Sequence, residues 1–263
     1  MRIRFSFWWI LFLPLFFYFH MAKTLFFMFL MLSIHECAHM LIAYLFHYPI
    51  EGVIIYPFGL CAQMQHIGMG NVWKELLIIV AGPLTHLFFP YLFQMFVSLH
   101  LISDAYLMYL MRLNQSIVLF NLLPVYPLDG GRIVQSLYHM VFHYMNAQRL
   151  TLITSVINLF LLFHYGIVRT WSSLIVMGFL LAQICMAWKQ IGLERLAFYQ
   201  YRKAHPVALP IRSNCKQDLY RAYTNLMKQP NGWISEEEWL HKHFQDDDAY
   251  HQMVSKMLRE VQK

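Results

Sequence analysis

Charged side chains are scarce in this sequence. Asp, Glu, Lys and Arg together make up 13% of the 263 residues, against about 25% in a soluble globular domain. The deficit is uneven, because 14 of these residues fall in positions 1–192 and 20 fall in the last 71 positions. The composition therefore predicts a transmembrane domain over residues 1–192 and a separate cytoplasmic region over residues 193–263.

Clustered basic charge and closely spaced cysteines are also missing. The net charge is +6, but no run of five or more Lys and Arg residues occurs. We therefore expect no nucleic-acid binding, and attraction to the anionic headgroups of a lipid bilayer accounts for the sign of the charge. The four cysteines have no C-x-x-C spacing, so we expect reduced thiols and no disulfide framework.

The apolar residues form six runs that approach the length of about 20 residues that a membrane span needs. The run at 5–20 follows a basic start but no small-residue cleavage motif comes after it, so we expect it to be retained as a first span. The predicted fold is an all-α polytopic membrane protein with about six transmembrane helices, at residues 5–20, 24–47, 75–99, 105–127, 150–168 and 171–188.

The distribution of Lys and Arg between the predicted loops indicates the orientation. Two basic residues, Lys23 and Arg169, would lie outside, whereas most of the others would lie inside if the N-terminus is cytoplasmic. Since basic residues favour the cytoplasmic side, we predict a multi-pass protein of a bacterial cytoplasmic or forespore-surrounding membrane with both termini in the cytoplasm.

Three segments outside the spans have patterns of their own. Residues 51–65 contain a β-branched run interrupted by Pro57 and Gly59, which predicts a small re-entrant β-hairpin. Residues 132–148 mix apolar and polar side chains and predict an interfacial helix, with His139 and His143 facing lipid headgroups. The cytoplasmic region is predicted to be mostly helical, with a capping box at Ser235 before its last helix.

The sequence HECAH at residues 35–39, within the second predicted span, is an H-E-x-x-H motif. Residues four apart on a helix differ by about 40° in direction, so His35 and His39 can share one metal ion. Their neutral nitrogens suit Zn²⁺, and Glu36 can serve as the general base. His35 lies 11 residues past Thr24, which is roughly 16 Å into a bilayer core of about 30 Å.

Two interpretations of these three residues are open. In the structural one, the histidines hydrogen-bond neighbouring helices and Glu36 is protonated. In the catalytic one, His35 and His39 bind a metal ion and Glu36 is the base. Ionisable groups at membrane depth are costly unless a metal and a cavity offset that cost, and the metal-ligand spacing of these three residues favours the catalytic interpretation.

A zinc hydrolase needs a third protein ligand and an open position for water, and Asp129 is the best candidate. It lies in the sequence NLLPVYPLDGGR, residues 121–132, where two prolines interrupt the fourth predicted span. Irregular backbone at membrane depth is tolerated only where protein or a watery cavity surrounds it, so the break itself indicates a site. A plain turn aspartate is the structural alternative, and the competing Asp104 lies in a predicted outer loop.

The pairing of this apolar H-E-x-x-H with a later N-x-x-P-x-x-P-L-D-G-G resembles the site-2 protease family of intramembrane zinc metalloproteases. Two further features agree with that family, AGPLTH at residues 81–86 and Asn114, seven residues before Asn121. The segment YPFG at residues 56–59, together with His86, is most similar to the stage IV sporulation protease FB type, which cleaves a membrane-tethered pro-sigma factor. The resemblance covers about residues 1–190.

The resemblance implies one Zn²⁺ ion per chain, held by His35, His39 and Asp129, with Glu36 as the catalytic acid and base. It also implies that Asn121 of the second motif helps to hold the substrate, and we add Pro124 of the same motif. The implied partners are a membrane-tethered protein substrate, such as a pro-sigma factor, and membrane regulatory proteins. No segment between the predicted spans is long enough for the PDZ domain that many relatives insert, and residues 193–263 lack the strand-rich pattern of a CBS domain.

A helical substrate must unwind before water can attack it, and its amides then need new partners inside the membrane. We expect the substrate to add as a β-strand to residues 53–55 or to residues 60–64, which makes Ile54, Ile55 and Gly59 candidate substrate-binding residues. The alternative function from another class is a non-enzymatic membrane metal transporter or receptor that uses the same ligands. Transporters usually carry internal repeats, and none is evident here.

Overall fold

The structure is a computed structural model that describes residues 2–5, 22–56, 59–64, 66–166, 170–216, 218–230 and 232–243. The elements follow in the order β1 (Arg2–Phe5), α1 (Ala22–Leu45), β2 (Ile50–Tyr56), β3 (Gly59–Met64), α2 (Val72–Thr85), α3 (Phe89–Ser98), α4 (Asp104–Asn121), α5 (Asp129–Val141), α6 (Tyr144–His164), α7 (Trp171–Ala204), β4 (Ile211–Asn214), β5 (Thr224–Gln229), β6 (Gly232–Ser235) and α8 (Glu236–His243).

These elements form two compact units. The first unit comprises residues 1–67 and 73–123, and the second comprises residues 68–72 and 124–263. The domain boundary that composition predicts after residue 192 stays a prediction, and helix α7 passes through that position without interruption.

Helix α1 presents one buried stripe to the first unit. Its buried residues from Phe27 onward recur every four positions, and the apolar members at one end give way to His35 and His39 further along. Phe27 and Met31 pack with buried side chains of α3 and α4, namely Phe89, Phe93 and Leu110. The same stripe that anchors the helix in its core therefore also carries the two histidines.

The first unit also contains a three-stranded sheet with strand order β1-β2-β3. Strand β2 pairs in parallel with β1 and antiparallel with β3. Both strands lie in the segment for which a re-entrant hairpin is predicted, and the hairpin and its re-entry into the membrane stay predictions. Strand β3 lies at the edge of the sheet and packs against α1.

Four of the described helices are long and apolar enough to cross a membrane: Ala22–Leu45, the α2–α3 stretch Val72–Ser98, Tyr144–His164 and Trp171–Ala204. They correspond to the second, third, fifth and sixth predicted spans. Helix α4, which matches the predicted fourth span and carries the exposed Arg112, is not among them. The predicted first span falls almost entirely on residues that the structure does not describe.

That the C-terminal region is mostly helical stays a prediction, because residues 244–263 lie outside the described part of the chain. Its described part contains the sheet β4-β5-β6, in which β5 pairs in parallel with β4 and antiparallel with β6. Along β5 the buried positions alternate with less buried ones, but one of the two buried side chains is Asn225. Because apolar and polar residues therefore do not alternate, the sequence pattern conceals the strand.

The second unit has its own hydrophobic core, which joins the end of α7 to this sheet. The core contains Tyr144, Phe198, Tyr199, Leu219, Met227, Trp239 and Leu240. The predicted N-cap of the last helix is confirmed, because the Ser235 hydroxyl accepts a hydrogen bond of 3.1 Å from the Glu238 amide. The described part of the C-terminal region therefore contributes side chains to a packed core.

Candidate metal centre

The two histidines of the H-E-x-x-H motif face one another inside the first unit. Their Nε2 atoms are 3.0 Å apart, and the side chains of His35 and His39 are 3% and 6% exposed. Glu36 lies with them, since the three side chains offer ligand atoms within 4.8 Å of one another. The helical spacing of the motif thus brings together the group that the sequence predicts.

The other ring nitrogen of His39 identifies its tautomer. His39 Nδ1 lies 2.7 Å from the main-chain carbonyl oxygen of Ile78 on helix α2. A carbonyl oxygen only accepts hydrogen bonds, so Nδ1 carries the proton and Nε2 presents a lone pair toward His35. This is the arrangement of metal-binding histidines, whose second nitrogen donates to a carbonyl or carboxylate oxygen.

Helix α2 passes close to this pair at Gly82. A β-carbon at Gly82 would collide with Nε2 of His39 and lie 2.7 Å from Nε2 of His35. Glycine therefore keeps free the space in front of both nitrogens. Two converging imidazole nitrogens, a neighbouring carboxylate and this preserved space fit a zinc ion.

A second pair of buried residues lies behind His35. His35 Nδ1 is 3.2 Å from Nε2 of His86, and His86 Nδ1 is 2.6 Å from Oδ1 of Asn114 on helix α4. The Asn114 amide in turn donates a hydrogen bond of 3.0 Å to the His86 carbonyl oxygen. Both residues match motifs of the family that the sequence resembles, but the motifs alone predicted no role for them at the site.

The way in which helix α2 ends places His86 in that position. The amides of His86, Leu87 and Phe88 bond to carbonyl oxygens three residues earlier, so the chain leaves the helix in tight turns. The Thr85 hydroxyl donates a hydrogen bond of 2.7 Å to the Gly82 carbonyl oxygen. The third predicted span is thereby interrupted between α2 and α3, at the residue that contacts His35.

Asp129 lies in the second unit, where it is the first residue of helix α5. The loop before it is fixed by helix α6, because Ser155 accepts a hydrogen bond of 2.9 Å from the Tyr126 amide and Asn158 donates one of 3.2 Å to the Pro124 carbonyl oxygen. A β-carbon at Gly131 would lie 2.5 Å from the Tyr126 nitrogen. The proline and glycine residues of the motif thus define one loop conformation, and the role of Asp129 as third ligand stays a prediction.

The predicted substrate-binding residues lie in three places. Asn121 ends helix α4 in the first unit, and Pro124 begins the second unit. Ile54 and Ile55 belong to β2, and Gly59 is the first residue of β3. Strand addition to residues 53–55 is wrong, because these residues already pair with β1 on one side and β3 on the other. Addition to residues 60–64 stays a prediction, since β3 is an edge strand.

The prediction that His139 and His143 face lipid headgroups is also wrong. His139 is fully buried and His143 is 8% exposed. The ring of His139 lies 5.0 Å from that of Tyr144, and His143 bonds to Asn214 of strand β4 at 3.2 Å. Neither nitrogen of His139 has a hydrogen-bond partner within the described part of the chain. Local patterns could not predict the burial of His143, because its partner Asn214 lies 71 positions further along the chain.

Comparison with known proteins finds similarity to a peptidase family. The model of Peptidase family M50 matches residues 98–165, a segment that contains the second motif but not the H-E-x-x-H motif. The chain is 29% identical over 183 residues to Stage IV sporulation protein FB of Bacillus subtilis, and this alignment covers 70% of the chain and 60% of that relative.

One further curated protein and one solved structure, both from Methanocaldococcus jannaschii, are also similar. Zinc metalloprotease MJ0392 of Methanocaldococcus jannaschii is 28% identical over 126 residues, covering 47% of this chain and 36% of that protein. The chain thus spans less than two thirds of either curated relative. The solved structure of a site-2 protease from Methanocaldococcus jannaschii is 21% identical, with a TM-score of 0.49, and the match covers 81% of this chain and 94% of that one.

Proposed function

We propose that this chain belongs to the site-2 protease family (peptidase family M50) and is a zinc metalloendopeptidase that cleaves a membrane-associated protein segment. The observation that carries the proposal is the pair of imidazole nitrogens 3.0 Å apart, with Glu36 beside them, on an apolar helix long enough to span a membrane. Ionisable groups at that depth are expensive, and a catalytic metal provides a reason to keep them there.

In this proposal His35, His39 and Asp129 hold one zinc ion per chain. Two imidazoles and a carboxylate are an ordinary ligand set for a catalytic zinc site, which leaves a position open. When bound, zinc supplies Lewis acidity that polarises a carbonyl group and lowers the pKa of water to about 7. Glu36 then accepts a proton from the attacking water and returns it to the nitrogen that leaves the scissile bond.

The substrate segment is bound in extended form along strand β3. Unwinding exposes the peptide groups of the substrate. Burying a peptide group without a hydrogen-bond partner costs about 2 to 7 kcal/mol. An edge strand supplies main-chain donors and acceptors that replace those bonds, and β3 packs against the helix that carries His35 and His39. Asn121 and Pro124, which flank the break after helix α4, help to keep the extended segment in place.

The substrate class that we propose is a membrane-tethered transcription regulator such as a pro-sigma factor, with membrane proteins as regulators. This choice rests on the similarity to a sporulation protein and on the motifs YPFG and AGPLTH. We place the chain as a multi-pass protein with both termini in the cytoplasm, in a bacterial cytoplasmic membrane or the membrane around a forespore.

Two measurements on the full chain test this function. Zinc content of the purified protein, together with cleavage of a model transmembrane substrate, separates a protease from a metal transporter, which would bind the ion without cleaving. Co-expression with candidate pro-sigma and anti-sigma proteins then identifies the substrate by a size shift that disappears in Glu36→Gln. A chain that binds zinc but cleaves none of these substrates at any concentration would contradict the proposal.

A further inference from the structure

A buried chain of hydrogen bonds connects helix α4 to His35 through His86. The distances are 2.6 Å between Asn114 Oδ1 and His86 Nδ1, and 3.2 Å between His86 Nε2 and His35 Nδ1. All three side chains are at most 5% exposed. Polar groups buried to this extent depend on hydrogen-bond partners, and these three side chains bond to one another.

The direction of each hydrogen bond follows from the Asn114 amide. Its Nδ2 group donates to the His86 carbonyl oxygen, which can only accept, so Oδ1 is the atom that faces the His86 ring. His86 Nδ1 must therefore carry a proton, which leaves Nε2 as an acceptor. His35 Nδ1 then donates to that acceptor, and His35 Nε2 presents a lone pair toward His39.

His86 contacts His35 on the side away from His39. The two nitrogens of an imidazole ring point in different directions, and His35 uses Nε2 toward His39 and Nδ1 toward His86. His86 is also not part of the group of ligand atoms formed by His35, Glu36 and His39. The geometry thus makes His86 a neighbour of a ligand and not a ligand itself.

We propose that His86 is a positioning residue, which together with Asn114 holds His35 in the tautomer and orientation that zinc requires. The proposal rests on the proposed function, because it assumes that His35 and His39 bind zinc. His39 is oriented by a hydrogen bond from its Nδ1 to the main-chain carbonyl oxygen of Ile78. A side-chain substitution at Ile78 does not remove that oxygen. His35 is therefore the ligand whose orientation depends on another side chain, and loss of such a partner typically costs 10- to 100-fold in metal affinity.

The test is the zinc dissociation constant of the full chain in detergent, measured by competition with a chromophoric chelator. His86→Phe keeps a ring of similar size beside Phe89 but removes both nitrogens. His86→Gln keeps an amide oxygen that can accept the proton of His35 Nδ1. We expect zinc binding to weaken about 10- to 100-fold in His86→Phe and to recover most of that loss in His86→Gln. His164→Phe, at an exposed histidine that ends helix α6, is the matched control and should bind like the parent.

The absorption spectrum of the cobalt-substituted protein supplies a second readout, because it reports ligand geometry without requiring activity. We expect an altered spectrum in His86→Phe and a near-parental one in His86→Gln. Asn114→Leu is the second variant if His86→Phe does not fold, and it should weaken zinc binding in the same direction. Thermal melting of each metal-free variant shows whether the fold is retained.

Three results would overturn the proposal. Parental zinc affinity in a folded His86→Phe or Asn114→Leu would remove the positioning role. An equal loss in His86→Phe and His86→Gln would assign the effect to packing instead of the hydrogen bond. Absence of zinc binding in the parent would refute the proposed function and this inference together, whereas the first two results leave the proposed function intact.

Discussion

Gly82 lies so close to His39 that a β-carbon at this position would collide with the Nε2 atom of the imidazole. The His39 ring has little freedom to move away, because its Nδ1 atom is hydrogen-bonded to the Ile78 carbonyl oxygen. A side chain as small as a methyl group would therefore occupy the space in front of both histidines. Helix α2 therefore leaves room for a metal ion because residue 82 has no side chain.

Gly82→Ala should for this reason abolish zinc binding while the protein stays folded. We expect the zinc content of the purified variant to fall by at least about tenfold, since even the loss of a supporting partner costs 10- to 100-fold in affinity. Gly178→Ala is the matched control, because a β-carbon on that glycine meets no atom within 4 Å among the described residues. Full zinc occupancy in a folded Gly82→Ala would contradict the assignment of this space to the metal.

Glu36→Gln separates chemistry from metal binding. The amide is similar in size to the carboxylate but cannot accept the proton of the attacking water, and general-base catalysis typically contributes 10²- to 10⁴-fold. We expect the rate of cleavage of a model substrate to fall by about that factor while zinc content stays at the parental value. Parental cleavage by the variant would dismiss Glu36 as the base.

The edge of strand β3 can be tested with proline, which removes one main-chain donor. Successive amides of a strand point alternately toward the two sides, so of Cys61→Pro and Ala62→Pro one removes a donor to β2 and the other removes a donor on the open edge. The variant on the open edge should keep its melting temperature and zinc content but cleave at least about tenfold more slowly. If both variants cleave as fast as the parent, the substrate does not add to β3.

His139 should make the second unit less stable at acidic pH. Burial first, and the nearby positive charge of Arg221 second, hold the pKa of His139 well below 6.5. The unfolded chain therefore takes up a proton that the folded chain excludes, so stability is complete above about pH 6.5 and falls as the pH decreases below it. Thermal melting between pH 7.5 and pH 5.5 measures this loss.

His139→Leu should remove that part of the pH dependence. It should also leave the melting temperature at pH 7.5 unchanged or raise it, because a buried polar group without a partner costs about 1 to 3 kcal/mol. His241→Leu, at an exposed histidine of helix α8, should keep the parental pH dependence. An unaltered pH profile in His139→Leu would show that another group is responsible.

Local patterns predicted the parts of the site that depend on local structure. The pairing of His35 with His39 follows from the 3.6-residue turn of a helix, and the hairpin follows from a β-branched run broken by Pro57 and Gly59. The structure agrees on the first point, and for the second it shows antiparallel pairing of β2 with β3. Such features are fixed within a few residues along the chain.

Contacts between distant segments were beyond the reach of these patterns. The bond between His86 and Asn114 joins residues 28 positions apart, and Asn214 lies 71 positions from its partner His143. The C-terminal sheet was not predicted, because Asn225 in strand β5 is polar but buried, where it donates a hydrogen bond to Glu236. A polar residue at a buried strand position breaks the alternation of apolar and polar residues that predicts a strand. Tertiary hydrogen bonds therefore explain why His86, His143 and Asn225 were not assigned their observed positions.

The central claim is that one zinc ion is held jointly by His35, His39 and Asp129, and zinc analysis of purified full-length protein tests it most directly. We expect about one zinc per chain in the parent and a loss of binding in Asp129→Ala as well as in the double variant His35→Ala with His39→Ala. Asp104→Ala, the other aspartate considered as a ligand, should bind zinc like the parent. A parent that binds no divalent metal, or an Asp129→Ala variant with parental zinc affinity, would contradict the account.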